Sequence, residues 1–150
     1  MIFNLFKSKT ILKELIPQGF VDIHSHILPG IDDGAKDIQM SLKLISKMNE
    51  IGFSKIIATP HTYPGIYENT PESIEKSFKK LKKDLPKNTN IIYASEYMID
   101  DNLSKKIKNK QLLCLKENFV LVEMSYLIAP INLYEIIFEL VVNGYKPVLA

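Results

Sequence analysis

Five short apolar runs, at Gly19–Ile23, Lys55–Ala58, Ile91–Ala94, Phe119–Glu123 and Lys146–Ala150, recur along this chain with segments of helical periodicity between them. No other feature limits the fold as strongly. Strand and helix alternating every roughly thirty residues build βα units, whose strands pair in parallel through right-handed crossovers. The predicted class is therefore α/β with a parallel sheet. In such folds chemistry gathers at the carboxyl ends of the strands.

The helical segments carry their own boundary signals. Ile38, Leu42, Ile45 and Met48 fall on one helical face, with Asp37 ahead as an N-cap and Gly52 behind as a stop. Thr70, Pro71 and Glu72 supply a cap, a first-turn proline and an acid at the positive end of the dipole, ahead of the stripe Ile74, Phe78, Leu81 and Leu85 and the closing Pro86. A shorter helix is expected around Leu103–Lys108. A last one, opened by Asn132, carries Ile136, Ile137, Leu140 and Val141 to Gly144. Residues 1–18, "MIFNLFKSKTILKELIPQ", read as an amphipathic extension that packs on the domain. Lysines interrupt its apolar residues, so it lacks the continuous core of a signal peptide or a membrane span.

At 150 residues, 46% hydrophobic and 24% charged, the chain can bury the core of one globular domain. Its 19 basic residues are all lysine, against 17 acids, for a net charge of +2. Without arginine there is no bidentate fork for phosphate or guanine, which argues against a nucleic-acid surface. The stretch "KSFKKLKKDLPK" reads instead as the wet face of a helix. Cys114, alone in an apolar "LLCL", reads as a buried small hydrophobe in a reducing, cytoplasmic compartment, with no disulfide framework.

Every histidine in the chain, and two acids embedded in apolar runs, fall at one place in the βα scheme. His24 and His26, two of the chain's three histidines, follow the first run in "FVDIHSHILPGIDDG". Side chains two apart on a strand share a side, so both imidazoles leave in one direction. "ATPH" ends the second run with His61, "YASE" the third with Glu96, and "VLVEM" carries Glu123 at the end of the fourth. Each has a plainer reading. A lone His-x-His can be a pair of surface groups, His61 a loop residue, Glu96 and Glu123 the exposed members of alternating strands, and Asp32 with Asp33 a turn between Gly30 and Gly34. Their shared rim favours a metal site. Imidazole and carboxylate without thiolate suit Mn, Fe or Zn, and more than four donors call for more than one ion.

The stretches "DIHSHILPGIDDGA", "IIATPHTYPGIYENTPE", "ASEYMID", "VLVEMS" and "ELVVNGYKPVLA" resemble the polymerase-and-histidinol-phosphatase (PHP) superfamily. The likeness is closest to its CpsB/YwqE-type branch, the metal-dependent protein tyrosine phosphatases of capsular and exopolysaccharide biosynthesis. It implies a distorted seven-stranded βα barrel with up to three divalent ions, Mn first among them. Carried over residue by residue, it makes His24 and His26 ligands of one ion and Glu96 a bridging carboxylate. Glu123 becomes a further ligand, Asp33 and His61 the holders of another ion, and Asp32 the neighbour that shapes the loop. Glu96, Asp33 and His61 thereby stand at the reacting centre. Members of that branch continue past "PVLA" into a His-Pro-Glu-Arg motif and later supply an aspartate and a histidine. Residues 19–150 are thus expected to be the N-terminal portion of a (β/α)7 barrel domain, incomplete at the C-terminus, without several ligands and a phosphate-holding arginine.

The activity so implied is metal-assisted hydrolysis, by a hydroxide bridging the ions, of phosphotyrosine on the tail of a partner tyrosine kinase of polysaccharide export. Cys114 lacks the Cys-x5-Arg loop that thiol phosphatases use. Two alternatives stand beside this: a phosphoesterase acting on a small molecule such as histidinol phosphate, and a non-catalytic fragment that binds a metal or a partner. Oligomeric state is left open.

Overall fold

The computed structural model describes residues 11–125 and 127–150. Its strands are β1 (Val21–Ser25), β2 (Lys55–Ala58), β3 (His61–Thr62), β4 (Ile91–Tyr93), β5 (Glu96–Met98), β6 (Phe119–Glu123) and β7 (Lys146–Leu149). The helices are α1 (Leu12–Leu15), α2 (Ile38–Ile51), α3 (Pro71–Lys82), α4 (Asp101–Lys108) and α5 (Leu133–Val142). Every strand pairing is parallel, in the orders β1-β2-β4 and β3-β5-β6-β7. The α/β class and the parallel sheet are as the alternation predicts.

Two of the expected strands resume after a short break. β2 resumes as β3 after Thr59-Pro60, and β4 resumes as β5 after Ala94-Ser95. Pro60 has no N–H with which to continue a ladder, so the strand breaks there. Its carbonyl still accepts from Glu96 N at 3.0 Å and Ser95 Oγ at 3.0 Å, while Ala94 N donates to Ala58 O at 2.8 Å. The two sheets are thus halves of one bent layer, with neighbouring breaks in its middle strands. β1 is also displaced, running Val21–Ser25 where the apolar run suggested Gly19–Ile23, so His24 lies inside the strand.

The helices cover one side of this layer. Ile45 of α2 and Ile74, Phe78 and Leu81 of α3 pack with Ile56, Ala58 and Ile91. Leu103 and Ile107 of α4 and Ile136 and Leu140 of α5 pack with Tyr97, Val120 and Val122. A separate cluster of Ile57, Ala94, Leu115 and Leu121 lies on the alternate strand positions, as period-2 alternation requires.

The caps follow the sequence with one exception. Asp37 accepts from Met40 N, and Thr70 with Ser73 closes a reciprocal capping box ahead of Pro71. Asp100 caps α4, starting it earlier than expected. Asn132 makes no side-chain cap on α5; its amide donates to Asp101 at 2.6 Å instead. The single turn of α1 buries none of its residues, and residues 1–10 of the expected extension lie outside the described ones. Cys114 is partly buried beside the α4–α5 core, and burial pushes its thiol pKa up.

Candidate metal centre

A β-bulge sets the direction of the histidine pair. Val21 and Asp22 face Lys55 and Ile56, but the next register pair is Ser25 with Ala58, so Ile23 and His24 together oppose Ile57. The extra residue re-aims the strand end, as bulges beside functional sites do. Asp22 therefore shares its face with Ile56, away from the histidines, although strict alternation would group Asp22, His24 and His26. The imidazoles converge, with His24 Nε2 at 3.2 Å from His26 Nε2.

The following loop doubles back tightly. Ala35 N donates to His26 O at 3.0 Å and Gly30 N to Ala35 O at 2.7 Å, with Gly30 in the left-handed region at φ +69. A Cβ on Gly34 would sit 1.9 Å from His26 O, so only glycine fits where this chain crosses the histidine backbone. The turn places Asp32 at the centre. Its carboxylate accepts from His26 Nδ1 at 2.9 Å, Gly34 N at 3.0 Å and His61 N at 3.2 Å. Fixing Nδ1 leaves His26 Nε2 facing the other ligand candidates, the carboxylate–histidine arrangement that orients metal ligands. Asp32→Asn is expected to weaken divalent-metal binding by about 10–100-fold with little change in fold. Metal titration with circular dichroism checks this, and unchanged affinity would reduce Asp32 to a turn residue.

The strand breaks bring in the remaining groups. The register pairs His61 with Glu96, and Met98 with Glu123. Glu96 is 2% exposed and central: Oε1 lies 3.1 Å from His24 Nε2, and Oε2 lies 3.3 Å from His26 Nε2 and 3.0 Å from His61 Nδ1. Glu123 Oε1 approaches His61 Nδ1 at 2.7 Å, and Asp33 Oδ1 lies 3.7 Å from His61 Nε2. All six candidates thus meet in one place. They form three overlapping triads, His24–His26–Glu96, His61–Glu96–Glu123 and His26–Asp33–His61, each with donor atoms within 4.8 Å of one another. Glu123 is only half-buried and Asp33 is exposed, so Glu96 is the buried acid of the set.

Their electrostatics fit a cation. His61 Nδ1, Glu96 Oε2 and Glu123 Oε1 are buried and close, yet none has a hydrogen-bond partner in acceptable geometry. Such atoms are costly unless something charged satisfies them. Burial opposes charge on Glu96, but His26 and His61 outweigh it and hold the carboxyl well below the usual range. Burial likewise lowers His26, while Asp32 and Glu96 outweigh it and push its pKa up to about 9. The Glu123 and Glu96 carboxylates push His61 up to about 10. Among the described residues no lysine pairs with any carboxylate of the site.

Two contributors escaped sequence reasoning. Asn69 donates to Ile31 O and His61 O, each at 2.8 Å, tying the two ligand loops together. Tyr67 stacks on His61 with centroids 5.4 Å apart and ring planes 8° from parallel. "YENTP" marks a helix start, but nothing in it tells which side chain turns back.

A sequence profile described as capsular polysaccharide synthesis, CpsB/CapC, matches residues 20–150. The chain belongs to the CpsB/CapC family. It is 32% identical over 134 residues to the tyrosine-protein phosphatase YwqE of Bacillus subtilis (strain 168), covering 87% of this chain and 53% of that protein. It is 31% identical to the putative tyrosine-protein phosphatase CapC of Staphylococcus aureus, covering 87% of this chain and 52% of that one. A solved structure from work on YwqE of Bacillus subtilis and CpsB of Streptococcus pneumoniae, described as unique metal-dependent tyrosine phosphatases, superposes with a TM-score of 0.78 at 30% identity. That match covers 87% of this chain and 54% of the solved one. The chain spans about half the length of the curated CpsB/CapC relatives it matches. No helix among the described residues is long and apolar enough to cross a membrane.

Proposed function

We propose that this chain supplies a metal centre to a phosphatase acting on phosphotyrosine, in a capsule or exopolysaccharide system, with the phosphorylated tail of a partner tyrosine kinase as substrate. The observation that carries the reading is the convergence of three imidazoles and three carboxylates on buried polar atoms without hydrogen-bond partners. The names borne by the CpsB/CapC relatives support the reaction class and the capsule setting.

His24, His26 and Glu96 would hold one ion, and His61, Glu96 and Glu123 a second. Asp33 stands on the other edge of the His61 ring, near Nε2. A neutral imidazole has one lone pair, so His61 serves one ion, and the carboxylates around it decide which nitrogen faces that ion. Mn suits this thiolate-free donor set, and Fe or Zn fits it as well. Divalent ions so held lower the pKa of bound water and clamp phosphoryl oxygens. The rest falls to the chain itself. Asp32 orients His26, Asn69 holds the two loops in register, and the bulge at Ile23–His24 aims the first pair inward. The lone, partly buried Cys114 suits a reducing, cytoplasmic setting.

A second reading, metal binding without turnover, is favoured by the absence of any arginine in the sequence. Calorimetric titration with Mn²⁺, followed by assay on a phosphotyrosine peptide and on histidinol phosphate, separates the two. Saturable binding with hydrolysis of the peptide supports the phosphatase. Binding with neither hydrolysed supports the second reading, hydrolysis of histidinol phosphate alone moves the substrate to a small phosphate ester, and no binding overturns both.

A further inference from the structure

We infer that Tyr67 is a positioning residue of the metal centre, its phenol ring fixing the plane of the His61 imidazole; the inference rests on the metal reading above. The two rings lie 8° from parallel at 5.4 Å, whereas His26 meets His61 at 49°, so Tyr67 is the group that matches the imidazole face to face. Aromatic pairs of this kind carry an orientation preference beyond the area they bury.

The ring is held from its backbone upward. Tyr63 N donates to Tyr67 O at 2.9 Å and Tyr67 N to Tyr63 O at 2.7 Å, closing a small antiparallel bridge. Gly65 turns its tip at φ +82, and Gly65 N donates to Glu68 Oε1 at 2.6 Å. Asn69 N donates to Tyr67 O at 2.8 Å, and the Asn69 side chain reaches back to His61 O at 2.8 Å. The hairpin that carries Tyr67 is therefore tied to the backbone of the residue its ring covers.

The backbone of His61 is also fixed on the other side, by its N–H on Asp32. Its ring is approached only at its edge by charged groups, Glu123 and Glu96 at 2.7 and 3.0 Å from Nδ1 without hydrogen-bond geometry and Asp33 at 3.7 Å from Nε2. Rotation about the last side-chain torsion is broad for an imidazole. The stack narrows it to one plane. Within that plane the Glu96 and Glu123 carboxylates select the nitrogen, so the two effects are separable.

The test uses the chain with Mn²⁺ as the probe, comparing wild type, Tyr67→Phe and Tyr67→Leu. Phe keeps the ring and Leu keeps bulk without a plane, and circular dichroism confirms that each is folded. Tyr67→Leu should weaken Mn²⁺ binding by about tenfold, the scale of an outer-shell partner, with Tyr67→Phe within about twofold of wild type. In the metal-free chain, the ring protons of His61 should show an upfield aromatic shift that Tyr67→Phe retains and Tyr67→Leu loses. Wild type that fails to bind Mn²⁺ overturns the metal reading and this inference with it. Wild type that binds while Tyr67→Leu binds equally well, or Tyr67→Phe loses as much as Tyr67→Leu, overturns this inference alone.

Discussion

Glu96→Gln is expected to lower divalent-metal affinity at the centre by more than about 100-fold while leaving the fold in place, because it removes a ligand where removing an outer-shell partner already costs about 10–100-fold. Among the described residues, Glu96 is the side chain that lies within 3.3 Å of all three histidines. A carboxylate with both oxygens so engaged can serve two ions, whereas His24 or His26 serves one. Glutamine keeps the volume at a 2% exposed position, and the backbone tie of residue 96 to Pro60 O does not depend on the side chain. The neutral amide removes the charge facing three imidazoles, so the metal-free variant should also lose about 1–3 kcal/mol of stability. Metal content after dialysis, read beside circular dichroism and a denaturant titration, distinguishes these effects. A folded Glu96→Gln protein with full metal content would make Glu96 an ordinary strand-end acid and end the bridging assignment.

How much of this was legible in advance depended on the range of the interaction concerned. The apolar runs located β1, β2, β4, β6 and β7 because period and β-branched content are local properties. β3 and β5 are two and three residues long, and they exist through pairing with each other and with β6, which no local pattern records. That pairing places His61 and Glu96 side by side at strand breaks, where sequence reading put them at strand ends. The bulge in β1 follows the same logic. The extra residue is defined only against Ile57, in the partner strand, so the alternation of the first run alone could not reveal it. His24, His26, His61, Glu96 and Glu123 were legible as histidines and acids at the ends of apolar runs, whereas Asp33, in a polar turn, entered only through the family resemblance. Tyr67 and Asn69 were not, since an aromatic and an amide in a turn-rich stretch are ordinary there.

The burial order among the acids bears on which residues the chemistry can tune. Glu123 is partly buried, and its Oε1, 2.7 Å from His61, is enclosed. Exposed Asp33 lies on the opposite nitrogen of the same ring. Water can therefore reach Asp33 while Glu96 stays dry, and charge at the centre is felt most strongly by Glu96 and the two histidines whose pKa values it raises.

The stability of the metal-free chain should consequently fall as pH rises, the reverse of its metal-bound form. His26 is pushed up to about 9 and His61 to about 10, both from an ordinary 6.5. A histidine whose folded pKa is raised contributes stability that is fully present below its unfolded pKa and is lost as pH climbs through the folded one. The loss should therefore begin near pH 6.5 and finish near pH 9–10. Glu96 has the opposite sign: its folded pKa is depressed from an ordinary 4.5, so its contribution is present above that value and disappears on acidification. The metal-free optimum accordingly lies between about pH 4.5 and 6.5. Both histidines draw on Glu96, so their contributions overlap, and the alkaline loss should be on the order of 3 kcal/mol, or roughly 10 °C in Tm. With saturating Mn²⁺ the slope should invert, because ligating nitrogens must shed their protons and binding tightens as pH rises. Thermal unfolding in EDTA and in Mn²⁺ across this range measures both slopes. Glu123→Gln, which removes the first of the carboxylates raising His61, should flatten the upper part of the EDTA curve. A metal-free Tm that is level or rising between pH 6.5 and 10 would mean that His26 and His61 are neutral in the folded chain and that the carboxylates around them do not act as their counter-charges.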